Sequence, residues 1–305
     1  MNKKRTIAAL AAVTVYMGAT AAMKAMIKPH KRAVKPYFSS RSPYIFAHRG
    51  GMQLAPENTM AAFKEAKAFQ VDGFEIDIRL TQDGEIVVFH DAYVDRVSDG
   101  SGKVSELTLE ALRSLDAGYH FKDVYGNHSF RGHHDAKIVT LKDLIEAFPG
   151  MRINIDIKDA PDTTAGRRVP SQLYQLIDAL DAFDHVLVTS FYAEQVQRFK
   201  HYAQDRVATG ASQTEAAKAF LLFKLGLGQL YQPAIDTFQL PVHYSGIRLD
   251  NPRFISYLQR YNIAVGYWVI NTIDEMDDLL TKGAHTIVTD RPDLAYHLVQ
   301  EKYRK

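Results

Sequence analysis

Apolar and polar positions alternate along most of the chain in a repeating order of strand and then helix. Short apolar runs, typical of buried strands, are followed by stretches in which apolar residues recur every three to four positions, as on one face of a helix. Strands are predicted at residues 44–47, from 73 to a turn at 82–84, 86–89, 152–158, 185–190, 206–210, 244–249, 263–270 and 285–290. Helices are predicted at residues 59–69, 108–115, 140–148, 172–182 and 274–282. This alternation favours an α/β fold with a parallel sheet.

The number of predicted strands favours one closed architecture. Eight or nine strands fit a (β/α)8 TIM barrel, with one short strand irregular or outside it. A doubly wound sheet is the alternative, but the sequence has no Gly-rich phosphate loop to support it. Residues 44–305 are therefore predicted as one barrel domain. A small insertion at about 116–137 is rich in Gly, His and aromatic residues and breaks the rhythm.

The N-terminal residues do not share this pattern. A basic start at residues 1–5 precedes an uncharged run at 6–23, so residues 1–27 are predicted as a signal peptide or membrane anchor. Ala19 and Ala21 offer a cleavage site, while the run is about as long as a short membrane span, roughly 17 to 20 residues. Residues 28–43, basic and containing prolines, are predicted as a tether. The predicted localisation is membrane-anchored or secreted.

Composition excludes several classes of function. The 305 residues are 46% hydrophobic and 24% charged, which is enough to bury a large core. The absence of cysteine excludes disulfides, thiolate catalysis and Cys-ligated zinc. A formal net charge of +2, without a basic run that contains aromatic residues, argues against nucleic acid as a partner.

Acidic residues on neighbouring predicted strands indicate a cation site. Glu75 and Asp77 are two positions apart in an apolar run, so in a strand their side chains share one face. Asp156 lies on a later strand that alternates cleanly. Because hard cations prefer oxygen ligands, these three carboxylates predict a site for one divalent cation, Ca²⁺ or Mg²⁺.

Two histidines and two cationic residues accompany the carboxylates at predicted strand ends. His48 and His90 can exchange protons near neutral pH, so they are candidates for general acid and base. Arg49 and Lys158 add positive charge suited to phosphate recognition. In a barrel these strand ends converge on the face where active sites lie. The combination fits phosphodiester cleavage, in which charge develops on the phosphate oxygens.

Structural interpretations compete with the functional ones for several residues. Taken alone, a pair of carboxylates on a strand is more often a solvated face than a metal site, and His48 could be a hydrogen-bonded core residue. Trp268 fits the core and a substrate platform equally well. The residues of the insertion that resemble a metal cluster lack regular spacing, so a solvated loop is the favoured interpretation for His128, His133, His134 and Asp135.

Seven short motifs occur in an order that resembles one enzyme family. AHRGG, ENT, EIDIRLTQDGEIVVFHD, NIDIKD, TSF, YWVIN and TDRP span residues 44–292, and together they resemble the glycerophosphodiester phosphodiesterase family. The resemblance implies a TIM barrel and metal-dependent hydrolysis of a glycerophosphodiester to glycerol 3-phosphate and an alcohol. The roles that it implies are acid and base for His48 and His90, metal ligands for Glu75, Asp77 and Asp156, and substrate or phosphate contacts for Arg49, Lys158, Glu57, Trp268 and Asn271.

The chain also departs from the pattern of soluble bacterial members of that family. NIDIK stands where those members usually have NIEIK, so Asp156 is one methylene shorter than the Glu of that motif. This motif and the N-terminal segment look more like the lysophospholipase D branch, in which a lysophospholipid is the substrate. The apolar stretch from Ala216 to Leu230 is predicted as either a lipid-facing patch, through which the chain could meet a membrane surface, or a barrel helix.

Two functions of different class follow from these observations. The first is a metal-dependent phosphodiesterase, with lysophospholipase D as the alternative within the enzyme class. The second is a non-catalytic barrel that binds lipid or phosphate. The intact pair His48 and His90, together with the three carboxylates, favours the enzyme.

Overall fold

The chain folds around a sheet of parallel strands surrounded by helices. The structure is a computed structural model that describes Gly18 and residues 30–304. The α-helices of this part are α1 Met60–Ala68, α2 Leu109–Ser114, α3 Leu141–Ala147, α4 Thr164–Ala179, α5 Ala193–Ala203, α6 Gln213–Lys224, α7 Pro252–Gln259, α8 Ile273–Thr281 and α9 Pro292–Lys302. The strands are β1 Tyr44–His48, β2 Gly73–Leu80, β3 Ile86–Val88, β4 Arg152–Ile157, β5 Val186–Thr189, β6 Ala208–Thr209, β7 Thr237–Leu240, β8 His243–Tyr244, β9 Ile247–Arg248, β10 Ala264–Tyr267 and β11 Thr286–Thr289.

The parallel strands of the described chain form a closed barrel. Their order is β6-β5-β4-β2-β1-β11-β10-β7, and β3 pairs antiparallel with β2 outside this path. The strands at the two ends of the order meet through a parallel bridge between Gly210 and Thr237, next to which the Asp236 N–H donates to Thr209 O at 2.8 Å. Eight parallel strands thus close on themselves with the helices outside. The predicted (β/α)8 barrel is confirmed.

Alternate residues of each strand face the helices or the barrel interior. Ile76 and Ile155 belong to the large hydrophobic core between the strands and the helices. Phe46 and Val288 belong to a separate cluster of buried residues inside the barrel. Gly73 on β2 pairs with Phe46, which faces the barrel interior. Because alternate side chains of a strand share a face, Glu75 and Asp77 also face the interior.

Most helices begin at residues that can cap them. Thr59 accepts a hydrogen bond from the Ala62 N–H at 3.4 Å, and Thr140 forms a reciprocal capping box with Asp143. Helix α4 begins well before the predicted start at residue 172 and contains Pro170. Proline usually interrupts a helix, so the first turns of α4 are not what a proline at this position would suggest.

The seventh barrel strand differs from the prediction. The stretch at 244–249, predicted as a strand, forms most of the exposed hairpin β8–β9, whereas the barrel strand is the preceding β7. Ser245 and Gly246 have positive φ values of 47° and 78°, as expected for a two-residue hairpin turn. β7 has four residues, too few for its alternation to stand out from the sequence.

Residues 32–43, which were predicted as part of a tether, pack across the N-terminal opening of the barrel. Arg32 forms an ion pair with Asp236 at 2.9 Å, directly before β7. Arg152 at the start of β4 donates to Tyr37 O at 2.8 Å. The segment is therefore attached to two separate parts of the barrel wall, and we call residues 32–43 the floor segment.

Tyr37 is the side chain of the floor segment that enters the barrel. It is 1% exposed, and its ring centroid lies 6.2 Å from that of Phe46 inside the barrel. Its hydroxyl has no hydrogen-bond partner among the described residues. Tyr37 thus closes the lower end of the interior by apolar packing.

The structure corrects the predicted localisation. In the part of the chain that is described, no helix is long and apolar enough to cross a membrane. The prediction of a membrane-anchored or secreted protein is not borne out by the described residues. The segment on which it depended, residues 1–27, lies outside the described residues except for Gly18, as do residues 28–29.

The apolar stretch from Ala216 to Leu230 falls on α6 and a short 3-10 helix that follows it. Its phenylalanines face another helix, since the rings of Phe220 and Phe223 each lie 5.2 Å from that of Phe254 on α7. These two residues pack against the barrel wall, whereas Leu221, Leu225 and Leu230 of the same stretch are exposed. A lipid-facing patch on this stretch stays a prediction.

We expect Tyr37→Ala to lower the free energy of unfolding by about 3–5 kcal/mol, because a buried aromatic ring is lost and a cavity remains. Tyr37→Phe should leave stability unchanged or slightly higher, since it removes only a hydroxyl without a partner. Val34→Ala, in the same segment but 59% exposed, is the matched control. Urea unfolding measures all three, and a loss below about 1 kcal/mol for Tyr37→Ala would contradict the packing role.

Candidate active site

The predicted site residues lie at the C-terminal end of the barrel. His48 ends β1, Asp77 and Asp156 are paired residues of β2 and β4, and Lys158 directly follows β4. The other predicted residues lie on β2 or in the segments that follow β1, β3 and β10: Arg49, Glu57, Glu75, His90, Trp268 and Asn271. Because parallel strands end on the same side of a barrel, residues far apart in the sequence meet here.

Two cations lie between the carboxylates of the site. The Lys158 ammonium is 3.0 Å from Asp77 Oδ1 and 2.7 Å from Asp156 Oδ2. Arg49 Nε lies 3.0 Å from Asp77 Oδ2. Glu75 has a more distant partner, since His48 Nε2 is 3.8 Å from Glu75 Oε2. Asp77 therefore holds two cations, whereas Glu75 holds none closely.

Burial and charge affect the three carboxylates differently. Burial, together with the negative charge of Asp77, raises the pKa of Glu75 to about 7. Burial raises the pKa of Asp156 to about 6, although Lys158 opposes it. Burial acts in the same direction on Asp77, but Lys158 and Arg49 outweigh it and keep the pKa of that carboxyl below its ordinary value. The site therefore has more negative charge than its own cations neutralise.

Unpartnered carboxylate oxygens test whether a divalent cation fits. Glu75 Oε2 and Asp156 Oδ1 are buried and have no hydrogen-bond partner among the described residues. Such oxygens are costly to bury unless a donor or a cation meets them. The available ligands are all oxygens, which suit Ca²⁺ or Mg²⁺. The chemistry of Glu75, Asp77 and Asp156 therefore suits the predicted cation, but one oxygen from each of the three does not come within 4.8 Å of the other two. A cation site on these residues stays a prediction.

A second group of possible ligands lies in the insertion. Among the described residues, only His133, His134 and Asp135 bring one ligand atom each within 4.8 Å of the others. The His134 side chain is 82% exposed, and the carboxylate of Asp135 pairs with Lys64 at 2.7 Å. His128, which the sequence analysis included, is not part of this group. Exposure and the ion pair agree with a solvated loop, and that interpretation stays a prediction.

A carboxylate from the last barrel strand orients His48. Asp290 Oδ1 lies 2.6 Å from His48 Nδ1, and Asn271 donates to Asp290 Oδ2 at 2.8 Å. A carboxylate only accepts, so the His48 proton is on Nδ1 and Nε2 faces the site. Burial lowers the pKa of His48, but the hydrogen bond that His48 donates to Asp290 and the charge of Glu75 outweigh it and raise the pKa overall. Asn271, predicted to contact substrate, holds Asp290 in the structure, and its substrate contact stays a prediction.

The second histidine has the same arrangement on the other side of the site. Asp91 Oδ1 lies 2.6 Å from His90 Nδ1, so the Nε2 atom of His90 is also left for chemistry. Arg79 donates to the backbone carbonyl of His90 at 2.9 Å and fixes the chain there. Burial is the main cause of a lowered pKa for His90. The two histidines thus have the same hydrogen-bond geometry, but the pKa of His48 is raised and the pKa of His90 is lowered.

Sequence reasoning missed three residues that hold the site together. Asp91 and Asp290 were inside recognised motifs but had no assigned role, although each follows a strand end. Arg96 was missed altogether, because it lies in a polar loop. It donates to both carboxylate oxygens of Glu57, at 2.7 Å each, while Arg49 donates to one of them at 2.9 Å. Glu57 is therefore a link between two arginines.

Trp268 is half-buried beside the cations. Its indole Nε1 donates to Gln239 O at 3.0 Å, and its ring lies 6.1 Å from that of Phe191 in an edge-to-face arrangement. The Lys158 ammonium lies 5.4 Å from the centroid of the Phe191 ring. The two rings form an aromatic wall next to the charged cluster, so Trp268 is both packed and close to the site.

The sequence and fold match one family of known proteins. The model described as "Glycerophosphoryl diester phosphodiesterase family" matches residues 48–294. A glycerophosphodiester phosphodiesterase from Caldanaerobacter subterraneus subsp. tengcongensis is 29% identical over 261 residues, which cover 84% of this chain and 98% of that relative.

Solved structures share the barrel. The glycerophosphoryl diester phosphodiesterase domain of a Mycobacterium tuberculosis protein aligns with a TM-score of 0.73 at 21% identity, covering 84% of this chain and 99% of that one. A phosphodiesterase from Oleispira antarctica, solved in complex with the product sn-glycerol-3-phosphate, aligns with a TM-score of 0.63 at 24% identity, covering 85% of this chain and 97% of that one. At these identities the alignments establish the common fold.

We expect the metal-free protein to lose stability as the pH rises from about 4.5, the ordinary pKa of Glu75, to about 7, its pKa in the fold. A raised pKa means that the protonated form stabilises the fold at low pH, and this contribution is lost as the pH rises through the folded value. Glu75→Gln should remove about 2–3 kcal/mol of this dependence between pH 5 and pH 8.

Urea unfolding in the presence of EDTA at several pH values measures this effect. Glu65→Gln, at an exposed position on α1, is the control. A Glu75→Gln profile parallel to that of the unmodified protein would show that Glu75 does not carry the proton.

Proposed function

The chain belongs to the glycerophosphoryl diester phosphodiesterase family and is a phosphoric diester hydrolase, and on that premise we propose that it cleaves glycerophosphodiesters by metal-assisted acid–base catalysis. The products are glycerol 3-phosphate and an alcohol. The observation that carries the proposal is the pair of histidines, His48 and His90, each held by a carboxylate at 2.6 Å beside the cluster of three acidic residues. Glycerol 3-phosphate bound to the Oleispira antarctica protein supports the product.

The carboxylates Glu75, Asp77 and Asp156 are proposed to hold one divalent cation, Ca²⁺ or Mg²⁺. Two observations support this proposal: Glu75 and Asp156 each have a buried oxygen without a hydrogen-bond partner, and the pKa values of both are raised. Both carboxyl groups would ionise more readily if more positive charge were present. When bound, the cation would supply Lewis-acid stabilisation of charge on the phosphate oxygens. Lys158, which pairs with two of these carboxylates, is proposed to share them with the cation and to face the phosphate.

Arg49 and Lys158 are proposed to bind the phosphate group. Both are fixed before substrate arrives, because Arg49 is paired with Glu57 and Asp77, and Lys158 with Asp77 and Asp156. Cations that are already oriented do not need to reorganise as charge develops on the phosphate oxygens. The aromatic wall of Phe191 and Trp268 beside Lys158 is proposed to contact the organic part of the substrate.

His48 and His90 are proposed to move the protons. One Nε2 atom takes a proton from the attacking water, whose oxygen forms a bond to phosphorus. The bond from phosphorus to the alcohol oxygen breaks, and the other Nε2 atom gives a proton to the leaving alkoxide. The pKa of His48 is raised and that of His90 is lowered, and such opposite shifts are what an acid and a base need in order to work at one pH. A non-catalytic barrel would not need two histidines oriented in this way.

We expect His48→Ala and His90→Ala each to reduce kcat on glycerophosphocholine by about 10²–10⁴-fold, because each removes one proton transfer. The release of glycerol 3-phosphate, with and without EDTA, is the measurement, and Ca²⁺ or Mg²⁺ should restore the activity that EDTA removes. His201→Ala, on the distant helix α5, is the control.

A substrate with a p-nitrophenyl leaving group assigns the two roles. p-Nitrophenolate leaves without a proton, so the variant that lacks the acid should recover activity on this substrate, whereas the variant that lacks the base should not. Unchanged kcat in either variant, or full activity after exhaustive chelation, would refute the mechanism.

Lysophospholipids are a second candidate substrate class, favoured by apolar side chains around the site. Loops that follow β3, β5 and β7 expose large apolar residues between 43% and 55%: Tyr93, Phe191, Tyr192, Tyr244 and Ile247. Tyr244 and Ile247 are opposite each other on the hairpin, so they project from one face. We propose that this pair contacts the acyl chain when lysophosphatidic acid is the product.

We expect the double variant Tyr244→Ser/Ile247→Ser to lose about tenfold in kcat/KM on lysophosphatidylcholine, because apolar contact with the acyl chain is removed. Activity on glycerophosphocholine, which has no acyl chain, should not change. Leu221→Ser/Leu230→Ser, which alters two exposed leucines toward the other end of the barrel, is the control. Equal loss on both substrates would show that the hairpin stabilises the fold, and no turnover of lysophosphatidylcholine would exclude this substrate class.

A further inference from the structure

Arg96 connects two parts of the site that come from different loops. It lies in the loop at residues 91–103, which follows the antiparallel strand β3. Its Nη1 and Nη2 atoms donate to the two carboxylate oxygens of Glu57 at 2.7 Å each, and its Nε donates to Asp91 Oδ2 at 2.6 Å. Three of the five N–H donors of the guanidinium are therefore bound by two carboxylates.

Each of these carboxylates also makes a hydrogen bond to a residue of the proposed mechanism. Glu57 Oε1 also accepts from Arg49 Nη1 at 2.9 Å, and Asp91 Oδ1 is 2.6 Å from His90 Nδ1. The result is a continuous chain of hydrogen bonds from Arg49 through Glu57, Arg96 and Asp91 to His90. Positive and negative groups alternate along it.

We propose that Arg96 is a positioning residue that fixes the His90 imidazole relative to Arg49. The proposal rests on the proposed function, in which Arg49 binds the phosphate and His90 moves a proton. A proton transfer depends strongly on the placement of the base or acid, and an error of about 1 Å can cost about 100-fold in rate. Arg96 does not touch the reacting atoms and acts through Asp91 and Glu57.

The shape of the side chain is what suits it to this role. Arginine presents its donors in a rigid planar fork that matches a carboxylate bidentately, whereas lysine is a point charge on a flexible stem. The side chain of Glu57 is 8% exposed, so both of its oxygens need donors. A lysine at position 96 would keep the charge but could not bond both oxygens of Glu57 and one of Asp91.

The loop itself does not depend on Arg96 for its fold. The Val94 N–H donates to Gly102 O at 3.0 Å, and Ser98 Oγ donates to Val94 O at 2.8 Å. Val94 is also buried in a small hydrophobic cluster. The Arg96 side chain is 48% exposed, and Arg49 continues to donate to the buried carboxylate of Glu57 when Arg96 is replaced. Variants at this position should therefore fold.

The test compares Arg96→Gln and Arg96→Lys with Arg113→Gln in the full chain. Arg113 has the same side-chain exposure of 48% and pairs with Asp143 on the surface, so it is a matched control. Both Arg96 variants should lower kcat on glycerophosphocholine by about 10- to 100-fold with a smaller change in KM, at a melting temperature within about 3 °C of the unmodified protein. Arg113→Gln should retain full activity.

Two results would overturn the proposal. Restoration of activity by Arg96→Lys would show that charge alone is needed. The second result concerns the double variant Arg96→Gln/Asp91→Asn. If its loss of activity equals the two single losses combined, the two residues act independently. The proposal requires the double variant to be little worse than Asp91→Asn alone.

A spectroscopic readout separates this proposal from the proposed function. The proton on His90 Nδ1, hydrogen-bonded to Asp91, should give a downfield NMR signal that is identified by its loss in His90→Gln. Arg96→Gln should shift or broaden that signal, and Arg113→Gln should not. An unchanged signal refutes the positioning role. An unmodified protein without activity refutes the proposed function, whatever the signal does.

Discussion

The burial of three carboxylates at one end of the barrel is the constraint on which the site depends. Charged groups are costly to remove from water unless opposite charges meet them. Lys158 meets that need for Asp77 and Asp156, and Arg49 contributes to Asp77. The partner of Glu75 is more distant, since His48 lies 3.8 Å away, and the pKa of Glu75 is raised. A divalent cation would complete the neutralisation, which is why these residues fit one.

The closed barrel extends this arrangement to the histidines. Asp290, which holds His48, is 242 positions away from it in the sequence, and only the pairing of β1 with β11 brings the two together. Asp91, which holds His90, is the next residue in the chain, and both residues follow β3. His48 lies 3.8 Å from Glu75, whereas the charge of Asp77 acts on the pKa of His90. The closure of the barrel fixes the first histidine, and a loop fixes the second.

The interior of the barrel is divided along its axis. Near the floor segment it is apolar, with Tyr37 and Phe46 packed together. Toward the C-terminal end, the same inward positions of the strands carry Glu75 and Asp77. Burial above this apolar floor raises the pKa of Glu75 and of Asp156 and so favours their protonated forms. Packing at one end of the barrel thus affects the chemistry at the other.

The periodicity of the sequence determined the α/β class, the barrel and the strand ends on which the site is built, because burial acts on each strand and helix locally. The motifs around His48, Glu75, Asp77, His90 and Asp156 were also visible there, since their spacing is short. The tertiary structure decided the rest: the floor position of a segment interpreted as a tether, and the true seventh strand.

Only the tertiary structure also decided which partner each side chain has. The sequence did not show that Asn271 holds Asp290 or that Glu57 joins Arg49 to Arg96. Hydrogen bonds and ion pairs depend on distances of about 3 Å between atoms. Residues separated by tens or hundreds of positions reach such distances only in the closed barrel. The local sequence pattern therefore does not predict which residues pair.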